Sequence, residues 1–395
     1  MTSGLDPLSE NAILDMLKKF CGDGGKTVIC IIHNLAKLEY FDLVTVVYEG
    51  HVVFQGSPKE LNRHFEIDSP LNLYDALNAK GVKYWLEKRP PLKDFCADCD
   101  PKSLPSRPPR PSAASQILTL LMRRFKLFFR DSGYLLLTMA ITFGFPIVVV
   151  IFAFGGLPQI RGLALERSLG GVEELRETLR FSIEAAQTST LVTGLILFQV
   201  VLLTLMGSNN SAREIAAERN LYEKERLLGL RPWAYAFSKI IFTSIIALFQ
   251  GVWMCWFVKF ICDFPGSFFV QAAVLSGVCI SMTLVCLAFS ALFSSPDKAN
   301  IVSIYLVGFQ LPLSGIVLAL PECLKWICRP LINSYWGWAG FMTSMKDTRL
   351  YDAFVQTSPS YEWIAKPSIA LFALAVQGII GIAFVLKGCY QKKWN

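Results

Sequence analysis

Charge is scarce in this 395-residue chain: Asp, Glu, Lys and Arg make up 17%, hydrophobic residues 53%, and only three residues are histidine. With a mean hydropathy of +0.43, that balance excludes an ordinary cytosolic domain and points to a multi-span membrane protein with soluble parts. No phosphate loop of the form G-x-x-x-x-G-K-S/T occurs, so the backbone N–H groups and lysine that would hold nucleotide phosphates are missing. The first 30 residues hold no basic start followed by a short apolar run, so no cleavable signal peptide is expected in them and the first span itself would direct insertion. The eleven cysteines are scattered rather than spaced as a disulfide scaffold. Cys96 and Cys99 form one C-x-x-C, which lacks the second half of a four-ligand zinc site and reads as exposed linker. Cys323 and Cys328 fall in an expected outer loop, where a local disulfide is left open to geometry. A channel finds no ring-forming charge motif or filter-like sequence. The formal net charge of +7 would suit nucleic acid, but Arg123, Arg124, Lys126, Arg130, Lys387, Lys392 and Lys393 flank apolar runs, where anionic membrane lipid is the counter-charge. No nucleic-acid partner is expected.

What is present is organised around residues 210–235, NSAREIAAERNLYEKERLLGLRPWAY, a charged helical stretch between two long apolar runs. Its density of Glu and Arg keeps it out of hydrocarbon, so it must emerge from the membrane on one side. Glu218, Arg219, Glu223 and Arg226 are spaced for i,i+3 and i,i+4 pairs and also present charge to a partner domain; a purely local salt-bridged cap is the alternative.

Six apolar runs predict spans near 134–154, 190–207, 233–258, 268–293, 301–320 and 368–387, with Pro146 kinking the first. Residues 115–132, SQILTLLMRRFKLFFRDS, carry the period of an amphipathic helix along the membrane face, its basic side chains reaching to headgroups. Six spans return the chain to its starting side, with both ends cytoplasmic in a cell membrane. The inner segments then hold 13 Lys or Arg against 10 in the longer outer ones, the expected sense of the positive-inside rule. In the outer segment 321–367, LINSYWGWAGFMTSM suits an interfacial or re-entrant helix, or a small folded cap. Neutral polar side chains (Gln199, Asn209, Asn210, Gln310, Ser314) and aromatic ones (Phe198, Tyr305, Phe309) favour a lipid-like or hydrophobic cargo, because charged cargo leaves a charged site within a bundle.

Residues 1–66 read as alternating helix and strand. Pro7 starts a helix with Ile13, Leu14, Leu17 and Phe20 on its apolar face; TVICIIH is a buried strand ending in His33; LVTVVYEGHVVFQG is a hairpin turning at Glu49-Gly50; SPKELNRHF begins a short helix. His51 and His64 read as surface histidines. Residues 67–114 hold a modest helical piece and then KSLPSRPPRPSAAS, a Pro- and Ser-rich tether.

TSGLDP, GKTVICIIHN and FDLVTVVYEGHVVFQGSPKE resemble the last third of the ATP-binding domain of ABC transporters. Ser3, Gly4, Leu5 and Asp6 match that family's D-loop and His33 its switch histidine. The resemblance implies that Ser3, Gly4, Asp6 and His33 meet nucleotide, with His33 on the γ-phosphate orienting attacking water. His33, at the C-terminal edge of a strand, also lies where open sheets bind ligands; a surface histidine is the alternative. The family's LSGGQ-type signature and Asp-Glu pair are absent, so this chain alone is not expected to hydrolyse ATP; ATP and Mg2+ belong to a complete transporter. A start next to the D-loop suggests a split gene, a misassigned start or a fragment. IAAERNLYEKERLLGLRPWAYAFSK resembles the first cytoplasmic loop of ABCG-type exporters of the ABC-2 membrane superfamily, implying that Glu218, Arg219, Glu225 and Arg226 couple an ATP-binding domain to the bundle. The expected fold is a mainly α-helical polytopic ABC-2 bundle of six transmembrane helices (133–395), preceded by an incomplete α/β ATP-binding remnant. Expected partners are a second copy or a complete ATP-binding subunit, membrane lipids and a hydrophobic small molecule. A non-hydrolysing membrane scaffold is the alternative function.

Overall fold

The computed structural model describes residues 7–22, 26–90, 111–153, 171–318, 320–357 and 364–391. It divides into two compact units, Met1–Pro108 and Pro109–Asn395.

The first unit contains α1 (Pro7–Gly22), β1 (Val44–Tyr48), β2 (His51–Gly56), α2 (Pro58–Phe65) and α3 (Leu73–Glu87), with short 3-10 turns before β1 and α3. The hairpin turns where expected: Glu49 and Gly50 both have positive φ, 47° and 80°, the geometry that matches the twist of a two-residue hairpin. α2 starts as its sequence dictates, since Ser57 Oγ accepts from the Glu60 N–H and Glu60 Oε2 accepts from the Ser57 N–H, two otherwise orphaned donors satisfied reciprocally. Leu38, Val46, Val53, Phe54, Leu61 and Phe65 form one core with Leu73, Leu77 and Trp85 of α3. The first part of the expected tether is therefore folded into this unit; residues 91–110, with Cys96 and Cys99, lie outside the described residues.

Three expectations fail here. Residues 26–32 form no strand, and Ile29 and Ile31 are 93% and 83% exposed. A strand of this composition is buried only between neighbouring strands under helices on both faces, and among the described residues the sheet is the β1–β2 pair alone. On α1, Leu14 is buried while Phe20 is exposed. His64 is no surface residue either: its ring lies 4.9 Å from that of Phe65 and 5.7 Å from that of Trp85, with Nε2 buried and unpartnered. Burial, aided by the Lys88 ammonium, holds its imidazole below the ordinary 6.5 against the pull of Glu66. His51 is exposed, as expected.

The second unit is helical among its described residues: α4 (Ala113–Arg130), α5 (Ser132–Phe152), α6 (Gly171–Ser211), α7 (Arg219–Leu227), α8 (Pro232–Cys262), α9 (Phe268–Leu292), α10 (Pro296–Gln310), α11 (Glu322–Cys328), α12 (Asn333–Thr343), α13 (Arg349–Thr357) and α14 (Pro367–Tyr390). Among the described residues, five helices are long and apolar enough to cross a membrane: α5, the Ser182–Ser211 part of α6, α8, α9 and α14. The run expected to span 301–320 takes another form. α10 ends at Gln310 after 15 residues, a rise of roughly 22 Å against the ~30 Å of a hydrocarbon core. Pro312 then opens a 3-10 turn and Gly315 turns left-handed at φ 72°. The aromatic α12 is not a surface cap: Trp338, Phe341 and Met342 are buried, packed against α6, α9 and α14.

α9 is the axis of the unit, flanked by α6, α8 and α14. It admits α8 so closely that a Cβ added at Gly251 would lie 2.5 Å from Ser276 Cα. Gly251→Val is expected to destabilise the unit by about 1–3 kcal/mol, because the obstacle is backbone that cannot rotate away. Thermal unfolding of the detergent-purified chain measures this, and an unchanged midpoint would contradict the close packing of α8 on α9.

Candidate coupling site

The polar stretch at the end of α6 is folded onto the helices around it. α6 stops at Ser211, seven residues turn, α7 follows, and Gly229 (φ 108°) lets the chain reverse into Pro232 at the start of α8. The turn is held by backbone donors as well as by charge: the N–H groups of Ile215 and Ala216 both donate to Ser290 Oγ at 3.0 Å.

Glu214 and Glu218 are four residues apart and converge on Lys239 of α8, whose Nζ lies 2.9 Å from Glu214 Oε1 and 2.6 Å from Glu218 Oε2. The Lys239 side chain is 4% exposed and that of Glu214 7%. Arg124 of α4 completes the group, 2.6 Å from Glu214. Two cations thus meet two carboxylates, which is the condition for keeping such charges out of water at tolerable cost. Burial works against the Arg124 charge, but Glu214 more than offsets it and holds the guanidinium above its ordinary pKa. Arg123, one residue earlier, pairs with Glu225 of α7, and this hydrogen bond raises its pKa in turn.

α7 is fastened at its other face. Arg219 donates to the carbonyls of Ala291 and, at 3.4 Å, Gly388. Tyr222 Oη donates to Cys389 O at 2.7 Å, and Arg226 donates to Cys389 O and Tyr390 O at 3.3 and 3.2 Å. These carbonyls end α9 and α14, where a helix has unpaired acceptors and a partial negative charge, so the guanidinium groups cap two helix C-termini at once. Burial pushes the Tyr222 phenol up to about 12, keeping it a donor.

Each of the sequence-selected Glu218, Arg219, Glu225 and Arg226 is therefore bonded to a neighbouring helix, in separate sets of contacts and not in the way their spacing suggests. Among the described residues, none of the pairs expected between Glu218, Arg219, Glu223 and Arg226 forms; Glu218, Arg219 and Arg226 instead bond partners outside α7. Arg123 and Arg124 turn to carboxylates rather than toward headgroups, while Lys126 and Arg130 stay exposed. Sequence reasoning passed over Glu214 and Lys239. The signal was there, since a lysine inside the apolar run 233–258 requires a partner.

The residues expected to meet nucleotide are not brought together by the described structure. Ser3, Gly4 and Asp6 lie outside the described residues, and His33 is exposed. Among the described residues no three His, Cys, Asp or Glu side chains are placed to hold a metal ion. Cys323 is exposed and Cys328 buried, both as free thiols, so the disulfide left open by the sequence is not made. Of the neutral polar residues, Asn210 and Gln310 staple helices together, while Gln199 Oε1 is buried without a partner. Asn210 donates to Gln250 Oε1 at 2.6 Å, and Gln250 Nε2 donates to Thr142 Oγ1 at 3.0 Å. Ser334 donates two hydrogen bonds to Gln310, from its N–H to Oε1 and from its Oγ to the backbone carbonyl. Phe198, with Phe152, lines an apolar cavity of about 700 Å³, and Tyr305 and Phe309 are exposed.

Long apolar helices with a charged loop bonded to their ends make this unit a multi-span membrane domain. The chain belongs to the ABC-2 type transporter family, whose profile matches residues 115–338, more than half of its length. Across 97% of the chain it is 21% identical to the ABC transporter ATP-binding/permease protein Rv1747 of Mycobacterium tuberculosis, covering 43% of that protein. A stretch of 61 residues, 15% of the chain, is 44% identical to the energy-coupling factor transporter ATP-binding protein EcfA2 of Staphylococcus aureus, covering 21% of it. Another of 79 residues, 18% of the chain, is 33% identical to EcfA2 of Bacillus cereus, covering 27% of it. The chain thus spans less than half the length of each of these relatives.

Proposed function

We propose that this chain is the membrane-spanning part of an ATP-driven, ABCG-like exporter, carrying outward a lipid-like or hydrophobic substrate, with residues 1–66 as the closing part of an ATP-binding domain. The observation that carries the reading is α7 fastened to α4, α8, α9 and α14, so that force applied to the charged loop reaches four helices together. Glu218, Arg219, Glu225 and Arg226 are the coupling residues, and closure of ATP-binding domains drives the bundle between inward and outward access. Six crossings place both ends in the cytoplasm, with the sixth made by α10 and the segment after its break. The similarity of short stretches to ATP-binding proteins supports a nucleotide role for part of the chain. A complete ATP-binding subunit or upstream region supplies phosphate loop, signature and magnesium carboxylate, and a second copy or a partner chain completes the transporter. The second reading, a non-hydrolysing scaffold, draws on the exposure of His33 and the unpaired extended segment before it.

ATP hydrolysis is the test, measured with the chain alone and with an ATP-binding subunit or upstream coding region added, for wild type and His33→Ala. Hydrolysis is expected only in the complemented form, with His33→Ala lowering kcat at least about 100-fold if the imidazole positions the attacking water. Absence of hydrolysis in every form would sink the exporter reading in favour of the scaffold.

A further inference from the structure

The end of the bundle where the charged loop emerges encloses a cavity of about 620 Å³, between the first turns of α5, the last turns of α6 and the first half of α10. A volume of this size suits a small-molecule site. Its walls differ in character. Leu137, Leu205 and Ile304 line one part, each 39% to 54% exposed. Asn209, Asn300 and Arg213 line another, backed by Arg124, Glu214 and Glu218. The backing charges already satisfy one another through Lys239, so they close the floor without asking for a counter-ion. The remaining polar groups have spare capacity. Neither Asn209 nor Asn300 has a hydrogen-bond partner among the described residues, and the nearest carboxylate to Arg213 is Asp297 at 4.0 Å, with the two side chains 59% and 82% exposed, a geometry worth little in water.

We infer that this cavity is a binding site for the phosphate headgroup of a membrane lipid. The Arg213 guanidinium takes phosphate oxygens, the side-chain amides of Asn209 and Asn300 donate to phosphate or glycerol oxygens, and the acyl chains leave along Leu137, Leu205 and Ile304. Arginine is suited to this because its planar fork matches two phosphate oxygens. The depth also fits, since the cavity lies where apolar spans give way to the charged loop, the level of headgroups in a bilayer. Reading substrate from the spans alone favours neutral cargo; the cation comes from the loop, and only folding carries it to the mouth of the bundle. The site deepens the exporter proposal by naming an amphiphile with a phosphate head as its ligand, while lipid binding itself does not depend on transport.

The full chain, purified in a neutral detergent, is titrated with phosphatidylglycerol, with diacylglycerol of the same acyl chains and with inorganic phosphate, and binding is followed by thermal stabilisation and native mass spectrometry. Phosphatidylglycerol is expected to bind and stabilise, diacylglycerol and free phosphate far less. Arg213→Gln with Asn300→Leu is expected to raise the half-saturating lipid concentration about tenfold or more, the worth of one charge-assisted hydrogen bond, while Arg213→Lys retains part of the affinity. Arg130→Gln, at an exposed cation of α4 outside the cavity, is expected to leave it unchanged. An equal response to diacylglycerol marks a purely apolar groove and overturns the proposal; an equal response to inorganic phosphate marks a free-anion site and overturns it too. So does an Arg130→Gln effect as large as that of the cavity variant. Binding intact without ATP-driven export sinks the exporter reading and leaves this site standing, whereas export without this binding does the reverse.

Discussion

Lys239→Met is expected to lower the stability of the membrane unit by about 3–5 kcal/mol, the cost of leaving buried carboxylates without their cation. The substitution preserves the length and packing of the side chain, so the loss is electrostatic rather than a cavity. Glu214 keeps Arg124, but Glu218 loses the one basic partner it has at hydrogen-bond distance. The double variant Lys239→Met, Glu218→Gln is expected to recover much of the loss, because Glu214 stays paired with Arg124 and the group left at position 218 is neutral. Unfolding midpoints of the single and double variants in the same detergent measure this; a single variant as stable as wild type would show that the carboxylates find water, and the buried network would then be no more than a surface feature.

Arg219→Met acts on the other face of the same loop and is expected to cost about 2–4 kcal/mol, since one charge-assisted hydrogen bond of about 1.5–3 kcal/mol to Ala291 and a weaker one at 3.4 Å to Gly388 are lost and carbonyls at the ends of α9 and α14 go unpaired. Tyr222 and Arg226 still hold Cys389 and Tyr390, so α7 stays docked and the unit stays folded. That makes the variant informative about coupling. In the complemented transporter, ATP hydrolysis is expected to persist while its effect on the bundle weakens about tenfold, within the ordinary range of coupling energies. The readout is hydrogen exchange at the last turns of α9 and α14 with and without nucleotide: wild type is expected to change on nucleotide addition and Arg219→Met to change much less. Equal responses would mean that the loop signals through α8 alone.

How far the sequence reached differs between the units. In the second, the positions of α5, α8, α9 and α14 follow from composition, because a helix in hydrocarbon must satisfy its backbone internally and so declares itself as a long apolar run. The charged stretch around Glu218 to Arg226 declares itself equally, since it has nowhere to go but water. In the first, the hairpin at Glu49-Gly50 and the start of α2 at Ser57 were legible because turn and cap chemistry is local.

The partners of those charges were not legible. Spacing of three and four residues proposes neighbours on one helix, yet Arg219 and Arg226 reach carbonyls more than 70 and 160 positions away, where the C-termini of two other helices leave acceptors unpaired. The break after Gln310 shortened an apolar run that hydropathy alone reads as continuous. Residues 26–32, apolar enough for a buried strand, stayed unpaired because a parallel strand exists only beside its neighbours. Sequence by itself determined that this is a helical membrane protein with a charged loop in water; the tertiary structure alone decided what the loop holds, because ion pairs and helix caps are chosen by distance in space, not by separation along the chain.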